Sequence, residues 1–177
     1  MQYDICSHRH KIKQPRNPWL DGPEYITQCP IEPESTYRWV VDYGKAYLVR
    51  IVNATMDTEL FFGIANHSLT VVGMDENYEK PILSDYLVMS LGQTMDVLVT
   101  TNQSLSHYYV AIRQYDSVRP DVTNYNQTNA TTILMYNGNY TTPDHPTYPS
   151  TLPSYEDFRS DDRFLDRLRS LASTDHP

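Results

Sequence analysis

Two histidines near the start of the chain, His8 and His10, have the type and spacing that could do chemistry. On a β-strand, side chains two residues apart point to the same side, and imidazole is a good ligand for copper or zinc. A chain with six histidines often contains such a pair by chance, and the run from His8 to Arg16 also fits a solvated basic terminus. The pair alone therefore leaves two interpretations open, a flexible terminus and a metal site.

The other candidate groups have structural interpretations. The pair Asp75–Glu76 is predicted to form a hairpin turn, and the pair Asp161–Asp162 is predicted to lie at a helix N-terminus. Cys6 and Cys29 could pair or could each have lost a partner, and neither has the spacing of a zinc site. Four further histidines have no partner at ligand spacing and are interpreted as surface or turn residues: His67, His107, His145 and His176.

The composition limits the possible partners. The hydrophobic fraction of 40% is ordinary for a globular protein, and the formal net charge of −8 argues against binding to nucleic acid, which needs a basic face. No apolar stretch reaches the length of a membrane span, and the first residues lack the apolar core of a signal peptide. Secretion is nevertheless indicated by six glycosylation sequons, at Asn53, Asn66, Asn102, Asn126, Asn129 and Asn139.

Between about Lys45 and Tyr136 the sequence has the pattern of short β-strands. Apolar or alternating runs lie at 46–53, 60–65, 68–72, 86–89, 95–99, 108–113 and 132–136. A tight hairpin is predicted at Asn66-His67, because asparagine tolerates positive φ, and a turn is predicted at Gly92-Gln93. The pattern predicts an all-β fold, an antiparallel β-sandwich or barrel over 44–139. Its predicted core includes Tyr47, Val49, Ile51, Phe62, Leu69, Val71, Val97, Val99 and Ile133.

The two ends of the chain differ from this central part. Residues 1–39 are rich in Pro, Arg and His and could not bury a core alone. Residues 143–153 contain four prolines, which predicts a stiff linker. A short helix is predicted to follow, with Ser160 as its N-cap. Its predicted packing face consists of Phe164, Leu165, Leu168 and Leu171.

Several motifs resemble those of one family. Residues 8–31, with Asp21-Gly-Pro followed by Thr27-Gln-Cys-Pro-Ile, resemble the plant laccase segment that opens with His-Trp-His-Gly. Residues 43–53, 60–72 and 91–99 resemble the laccase second domain, and residues 168–171 resemble the link toward the third. The resemblance covers nearly the whole chain in two blocks. It is that of a plant laccase, a multicopper oxidase, in truncated and internally deleted form.

The resemblance implies three cupredoxin domains, in which four His-rich motifs bind copper. His8 matches a type-2 copper ligand and His10 a type-3 ligand. Arg9 stands where the family has Trp and Lys11 where it has Gly, and a cation beside the cluster would repel copper. The second motif is absent, because Trp39 runs directly into Val40, and the third and fourth motifs are expected beyond the end of the chain. The resemblance also implies that Cys29 has lost its disulfide partner.

These observations predict three regions: a remnant of the first plastocyanin-like domain at 1–39, a copper-free second cupredoxin domain at 40–142, and a Pro-rich linker and short helix toward a third domain at 143–177. The implied family activity is copper-dependent oxidation of phenols, such as hydroquinones and lignin precursors, with reduction of dioxygen to water. We expect weak or absent copper binding at His8 and His10, no catalytic residues, and loss of that activity in this chain. The expected location is the apoplast, by secretion. The alternative is a non-catalytic secreted cupredoxin-like binding module, for which 15 tyrosines could serve an interface.

Overall fold

The computed structural model describes residues 38–55, 58–115 and 129–172. Nearly all regular structure in these ranges is β-strand, and one short helix lies near the C-terminus. Among the described residues no helix is long and apolar enough to span a membrane. The elements are β1 Arg38–Val41, β2 Ala46–Val52, β3 Glu59–Ile64, β4 Leu69–Met74, β5 Asn77–Ser84, β6 Leu87–Met89, β7 Thr94–Thr100, β8 His107–Tyr115, β9 Ala130–Tyr136 and α1 Phe158–Leu165.

The strands form two sheets that share one core. The first sheet has the order β1-β9-β8-β3-β6 and the second has the order β2-β7-β4-β5. All neighbouring strands are antiparallel except β1 and β9, which pair in parallel, with Arg38 opposite Ile133. Buried apolar side chains from both sheets form a single cluster. The predicted all-β sandwich is therefore confirmed, with one parallel pair at an edge that the sequence did not indicate.

Alternation along the strands selects the core. Of the predicted core residues, Phe62, Leu69, Val71, Val97 and Val99 are buried, whereas Tyr47, Val49 and Ile51 are half-buried and pack against the cluster. The prediction for β9 was wrong by one position. Ile133 is half-buried and lies outside the cluster, whereas Leu134 and Tyr136 are buried in it. The tyrosine ring fills space in the core as an apolar residue would, and this shifts the buried face of β9.

The connection between β3 and β4 differs from the predicted hairpin. Asn66 has the expected positive φ of 60° and lies in a turn. The turn is closed by an isolated bridge between Ile64 and His67, but the two strands that it joins belong to different sheets, so the chain then crosses from one layer to the other. Asn66 therefore has the predicted backbone conformation in a different kind of connection. By contrast, Asp75-Glu76 joins the paired strands β4 and β5 and forms the predicted hairpin turn.

Two strands had no clear signal in the sequence. β1 has four residues, of which only Val41 is buried, and Val40 is 58% exposed. β5 contains Pro81, and the register between β4 and β5 shifts between Val71 and Gly73. A bulge of this kind interrupts the two-residue alternation on which strand prediction depends.

The proline-rich segment lies along the first sheet. Thr147 forms a bridge with Tyr108 in β8, and Leu152 is buried in the core cluster. The Arg113 guanidinium in β8 donates to the carbonyl oxygens of Leu152 at 3.2 Å and Pro153 at 2.6 Å. These contacts hold the segment that the sequence predicted as a linker against the sandwich.

Helix α1 is attached to the same sheet. Its N-cap is Asp157 and not the predicted Ser160; the Asp157 carboxylate accepts from the Ser160 backbone N–H at 3.1 Å and from its hydroxyl at 2.7 Å. Tyr86 donates to the Ser160 carbonyl at 2.9 Å, and Tyr115 donates to Asp161 at 3.2 Å. These bonds fix the first turn of the helix on the sheet.

The predicted apolar face of the helix is only partly correct. Phe164 is buried in the core and Leu168 packs against it, but the helix ends at Leu165. Leu165 and Leu171 are 45% and 54% exposed. Because the helix stops after two turns, the four positions do not share one face.

We expect Phe164→Ala to lower the free energy of unfolding by about 3–5 kcal/mol, because it removes a fully buried aromatic ring and leaves a cavity. Leu165→Ala, one residue later on the exposed side, should change it by less than about 1 kcal/mol. Urea denaturation followed by tryptophan fluorescence measures both. Equal losses for the two variants would contradict the packing described for α1.

Candidate functional site

The two predicted copper ligands, His8 and His10, lie outside the described residues, as do Cys6, Cys29 and His176. Within the part of the chain that the structure describes, no group of three or more His, Cys, Asp or Glu residues could hold a metal ion. The described part of the sandwich therefore contains no complete set of copper ligands. The contacts of its histidines show what these residues do instead.

The described residues include three histidines, and each has different surroundings. His107 begins β8 and packs its ring edge-on against Tyr140, with 5.8 Å between ring centroids. His145 is exposed in a bend. His67 lies directly after the turn between β3 and β4, which fits the interpretation as a surface or turn residue in its second form only, since His67 is 3% exposed.

Both ring nitrogens of His67 have hydrogen-bond partners. Nδ1 lies 2.7 Å from the carbonyl oxygen of Ala65, and Nε2 lies 2.7 Å from the Tyr136 hydroxyl. A carbonyl oxygen can only accept, so Nδ1 carries a proton, and in the neutral ring Nε2 then accepts from Tyr136. The Tyr136 oxygen in turn accepts from the backbone N–H of Gln103 at 3.1 Å. With both nitrogens occupied, the ring has no free lone pair for a metal ion.

Aromatic rings enclose this histidine. Tyr136 stacks on it at 5.8 Å between centroids, and Tyr108 meets it edge-on at 5.0 Å. The Tyr108 hydroxyl donates to the Ser104 carbonyl at 2.8 Å. Burial lowers the pKa of His67, an effect that the Ala65 carbonyl partly opposes, and burial also raises the pKa of Tyr136. The cluster therefore holds a neutral imidazole beside a neutral phenol.

The role of this cluster is structural: its hydrogen bonds hold parts of the chain together. His67 joins the crossing after β3 to the end of β9, and the Tyr136 hydroxyl joins the end of β9 to the loop that contains Gln103. Sequence reasoning missed the cluster, because a histidine at a turn carries no periodic signal and its partner Tyr136 is 69 residues away.

An ion pair on the second sheet has a comparable structural role. Arg50 in β2 lies directly opposite Asp96 in β7, and the guanidinium donates two hydrogen bonds to the carboxylate, at 2.7 and 2.6 Å. The hydrogen bonds that Arg50 donates to Asp96 raise the pKa of Arg50. A bidentate pair of this kind fixes strand register and leaves neither group free to act on a ligand.

The buried histidine makes stability depend on pH. Because the folded state lowers the pKa of His67, the unfolded chain binds a proton first as the pH falls. The contribution of His67 to the free energy of unfolding is fully present above the ordinary histidine pKa of about 6.5. As the pH falls from there toward the lower folded-state pKa, this contribution declines by at most about 1.4 kcal/mol per pH unit. We expect the stability difference between wild type and His67→Gln to narrow between pH 7.5 and 5. Urea titrations across that range measure it, and a constant difference would contradict the assignment.

The chain is similar to plant laccases along nearly all of its length. It is 30% identical to laccase-14 of Arabidopsis thaliana over 275 positions, which cover 99% of this chain and 48% of the relative. It is 28% identical to putative laccase-1 of Oryza sativa, with 98% and 48% covered. Rice laccase-2 is 41% identical over 142 positions, 80% of this chain and 25% of the relative. The chain thus spans about half the length of the first of these curated relatives.

Solved multicopper oxidases have a similar fold. The laccase from Botrytis aclada superposes with a TM-score of 0.56 at 28% identity, covering 70% of this chain and 22% of that one. Fet3p, a multicopper oxidase that functions in iron import, gives a TM-score of 0.55 at 25% identity, covering 88% and 28%. These likenesses support a cupredoxin-like assignment for the sandwich.

Agreement between sequence and fold identifies the family. The multicopper oxidase family model matches residues 9–139, which include His10 and most of the sandwich. Relatives and solved structures that match the chain come from the same family. The chain therefore belongs to the multicopper oxidase family, and the curated relatives it resembles are plant laccases.

Proposed function

We propose that the chain is part of a laccase-type multicopper oxidase in which the described sandwich is the copper-free second domain. The observation that carries this proposal is the use of His67, whose two ring nitrogens are both occupied by hydrogen bonds inside the fold. The described residues offer no group of three possible metal ligands, and the laccase relatives supply the family. A sandwich of this kind supplies rigid packing and not a redox centre.

The proposed family activity is oxidation of phenols with reduction of dioxygen to water, for which copper, when bound, supplies the electron transfer. Of the copper ligands implied by the resemblance, this sequence contains only His8 and His10, and neither cysteine has two histidines at blue-copper spacing. Two imidazoles are a poor fit to a cluster that transfers four electrons. We therefore propose that this chain by itself binds copper weakly and does not turn over phenols.

The proposed organisation keeps the three regions at 1–39, 40–142 and 143–177. The alignment with laccase-14 is 275 positions long, whereas this chain has 177 residues, which supports an internal stretch of the relative with no counterpart here. In the folded chain, contacts cross both proposed boundaries. Arg38 and Trp39 pair with β9, and Leu152 and Phe164 are buried in the sandwich core.

Secretion, to the apoplast in a plant, is the proposed destination. Four of the five sequon asparagines in the described residues are exposed, as attachment of a glycan requires: Asn66, Asn102, Asn129 and Asn139. Asn126 lies outside the described residues. The proposal rests on this accessibility and on the laccase relatives.

The activity is tested by loading the purified chain with copper and measuring oxygen uptake with a simple diphenol, together with a visible spectrum. We expect no copper-dependent turnover and no intense blue band, because neither Cys6 nor Cys29 has two histidines at blue-copper spacing in the sequence. Two imidazoles, those of His8 and His10, are also fewer ligands than a copper cluster requires.

The control is the double variant His8→Ala/His10→Ala, which should lose any weakly bound copper when metal content is measured after dialysis. Oxygen uptake above that of the double variant, or a blue absorption band, would contradict the proposal that this chain is inactive.

A further inference from the structure

The sequon asparagines of the described residues fall into two structural classes. Asn53 is 1% exposed, whereas the other four are exposed. A sequon motif in the sequence does not distinguish these classes, because the acceptor pattern Asn-X-Ser/Thr is the same in each. The hydrogen bonds of the carboxamide groups separate them further.

The Asn53 carboxamide is consumed by the fold. Its Nδ2 donates to the carbonyl oxygens of Thr58 at 3.0 Å and Met89 at 3.1 Å, linking the end of β2 to the end of β6. Its Oδ1 accepts from the backbone N–H of Thr55 at 3.1 Å and from the Thr55 hydroxyl at 2.8 Å. Both amide hydrogens and the oxygen are therefore in use, in a place with no room for a sugar.

The Asn129 carboxamide is oriented but open. Arg113 Nε donates to its Oδ1 at 3.0 Å, and within the described residues its Nδ2 donates no hydrogen bond. The same guanidinium holds the Leu152 and Pro153 carbonyls, so the arginine that presents Asn129 is itself fixed. Asn129 is exposed and immediately precedes β9, which keeps its backbone attached to the sheet.

We propose that the secreted, folded chain carries an N-linked glycan on Asn129 and none on Asn53; the inference rests on the proposed secretory destination. The glycan donor is an oligosaccharide carried on a polyprenyl diphosphate. The bond from Asn129 Nδ2 to the anomeric carbon forms, the bond from that carbon to the diphosphate oxygen breaks, and the diphosphate leaves with the amide proton taken up by base. No electrons are transferred, and Oδ1 stays free to accept from Arg113.

A glycan is excluded from Asn53 of the folded protein whether glycosylation takes place before or after folding. In the folded chain the side chain is inaccessible. In a chain modified before folding, the sugar replaces one of the two Nδ2 hydrogens, so the Thr58 or the Met89 carbonyl loses its donor, and the sugar must enter the core. Such a chain cannot form both of the hydrogen bonds that Asn53 donates to Thr58 and Met89, and it therefore does not reach the folded state. At Asn129 the glycan leaves every described hydrogen bond in place.

The test is expression of the full chain behind a secretory leader in a eukaryotic host, followed by purification of the folded secreted monomer. Enzymatic deglycosylation in ¹⁸O-labelled water converts each occupied asparagine to labelled aspartate, which peptide mass spectrometry reads at each site. We expect label at Asn129 and none at Asn53. The matched control is Thr131→Ala, which destroys the Asn129 sequon but leaves the asparagine and its bond to Arg113, and should remove the Asn129 label alone.

Label at Asn53 in the folded monomer would overturn the inference, and so would glycans at other sites with none at Asn129. Neither result would bear on the proposal that the chain is part of a laccase-type oxidase. A secreted chain with no glycan at all would also overturn it, and would count against the secretory part of the proposed function.

A stability comparison separates the structural roles of the two side chains. Asn53→Gln displaces a carboxamide with two buried acceptors and should lower the urea midpoint of unfolding, or prevent folding. Asn129→Gln should leave the midpoint within experimental error, since only one exposed hydrogen bond changes. An unchanged midpoint for Asn53→Gln would show that the Asn53 site tolerates substitution and would overturn the exclusion.

Discussion

The chain must cross from one sheet to the other without leaving polar groups unpaired at the edge of the core, and His67 is the residue that satisfies this requirement. At the crossing, the His67 imidazole bonds to the Ala65 carbonyl and the Tyr136 hydroxyl, and that hydroxyl also accepts from the Gln103 backbone N–H. An unpaired buried donor or acceptor costs about 1–3 kcal/mol, so the cluster favours this one arrangement over alternatives in which the sheets shift. The end of β9 is thereby tied to the turn where the chain leaves β3 for the second sheet.

Tyrosine meets the same requirement elsewhere in the molecule. A phenol ring fills core volume, and its hydroxyl reaches a polar partner at the rim. Tyr86 and Tyr115 attach the first turn of α1 in this way, and Tyr108 ties β8 to the preceding loop. The high tyrosine content first suggested a binding interface. The structure uses several of these rings inside the fold, and those of Tyr86 and Tyr115 join segments that lie far apart in sequence.

Most of the strands could be predicted from the sequence, but few of the side-chain hydrogen bonds that join them could. Alternation of apolar and polar residues located the strands that bury only one of their two faces. An example is β7, in which Val97 and Val99 are both buried. Alternation failed where a local irregularity or a partner distant in sequence decides the structure. The bulge beside β5 disrupts alternation, Tyr136 displaces the buried face of β9, and Asp157 caps α1 because its carboxylate reaches two groups of Ser160. The predicted ligands His8 and His10 were found by family resemblance, which depends on motifs and not on packing.

An imidazole nitrogen can hold a metal or a hydrogen-bond partner, and in this sandwich the buried histidine is committed to the second use. Replacing that use by metal binding would require breaking the bonds to Ala65 and Tyr136 and opening the crossing between the sheets. The stability of the sandwich and the presence of a copper site at His67 therefore exclude each other. A family that separates the two tasks can keep this domain rigid through buried polar clusters and place its redox chemistry on histidines that the packing of this domain does not need.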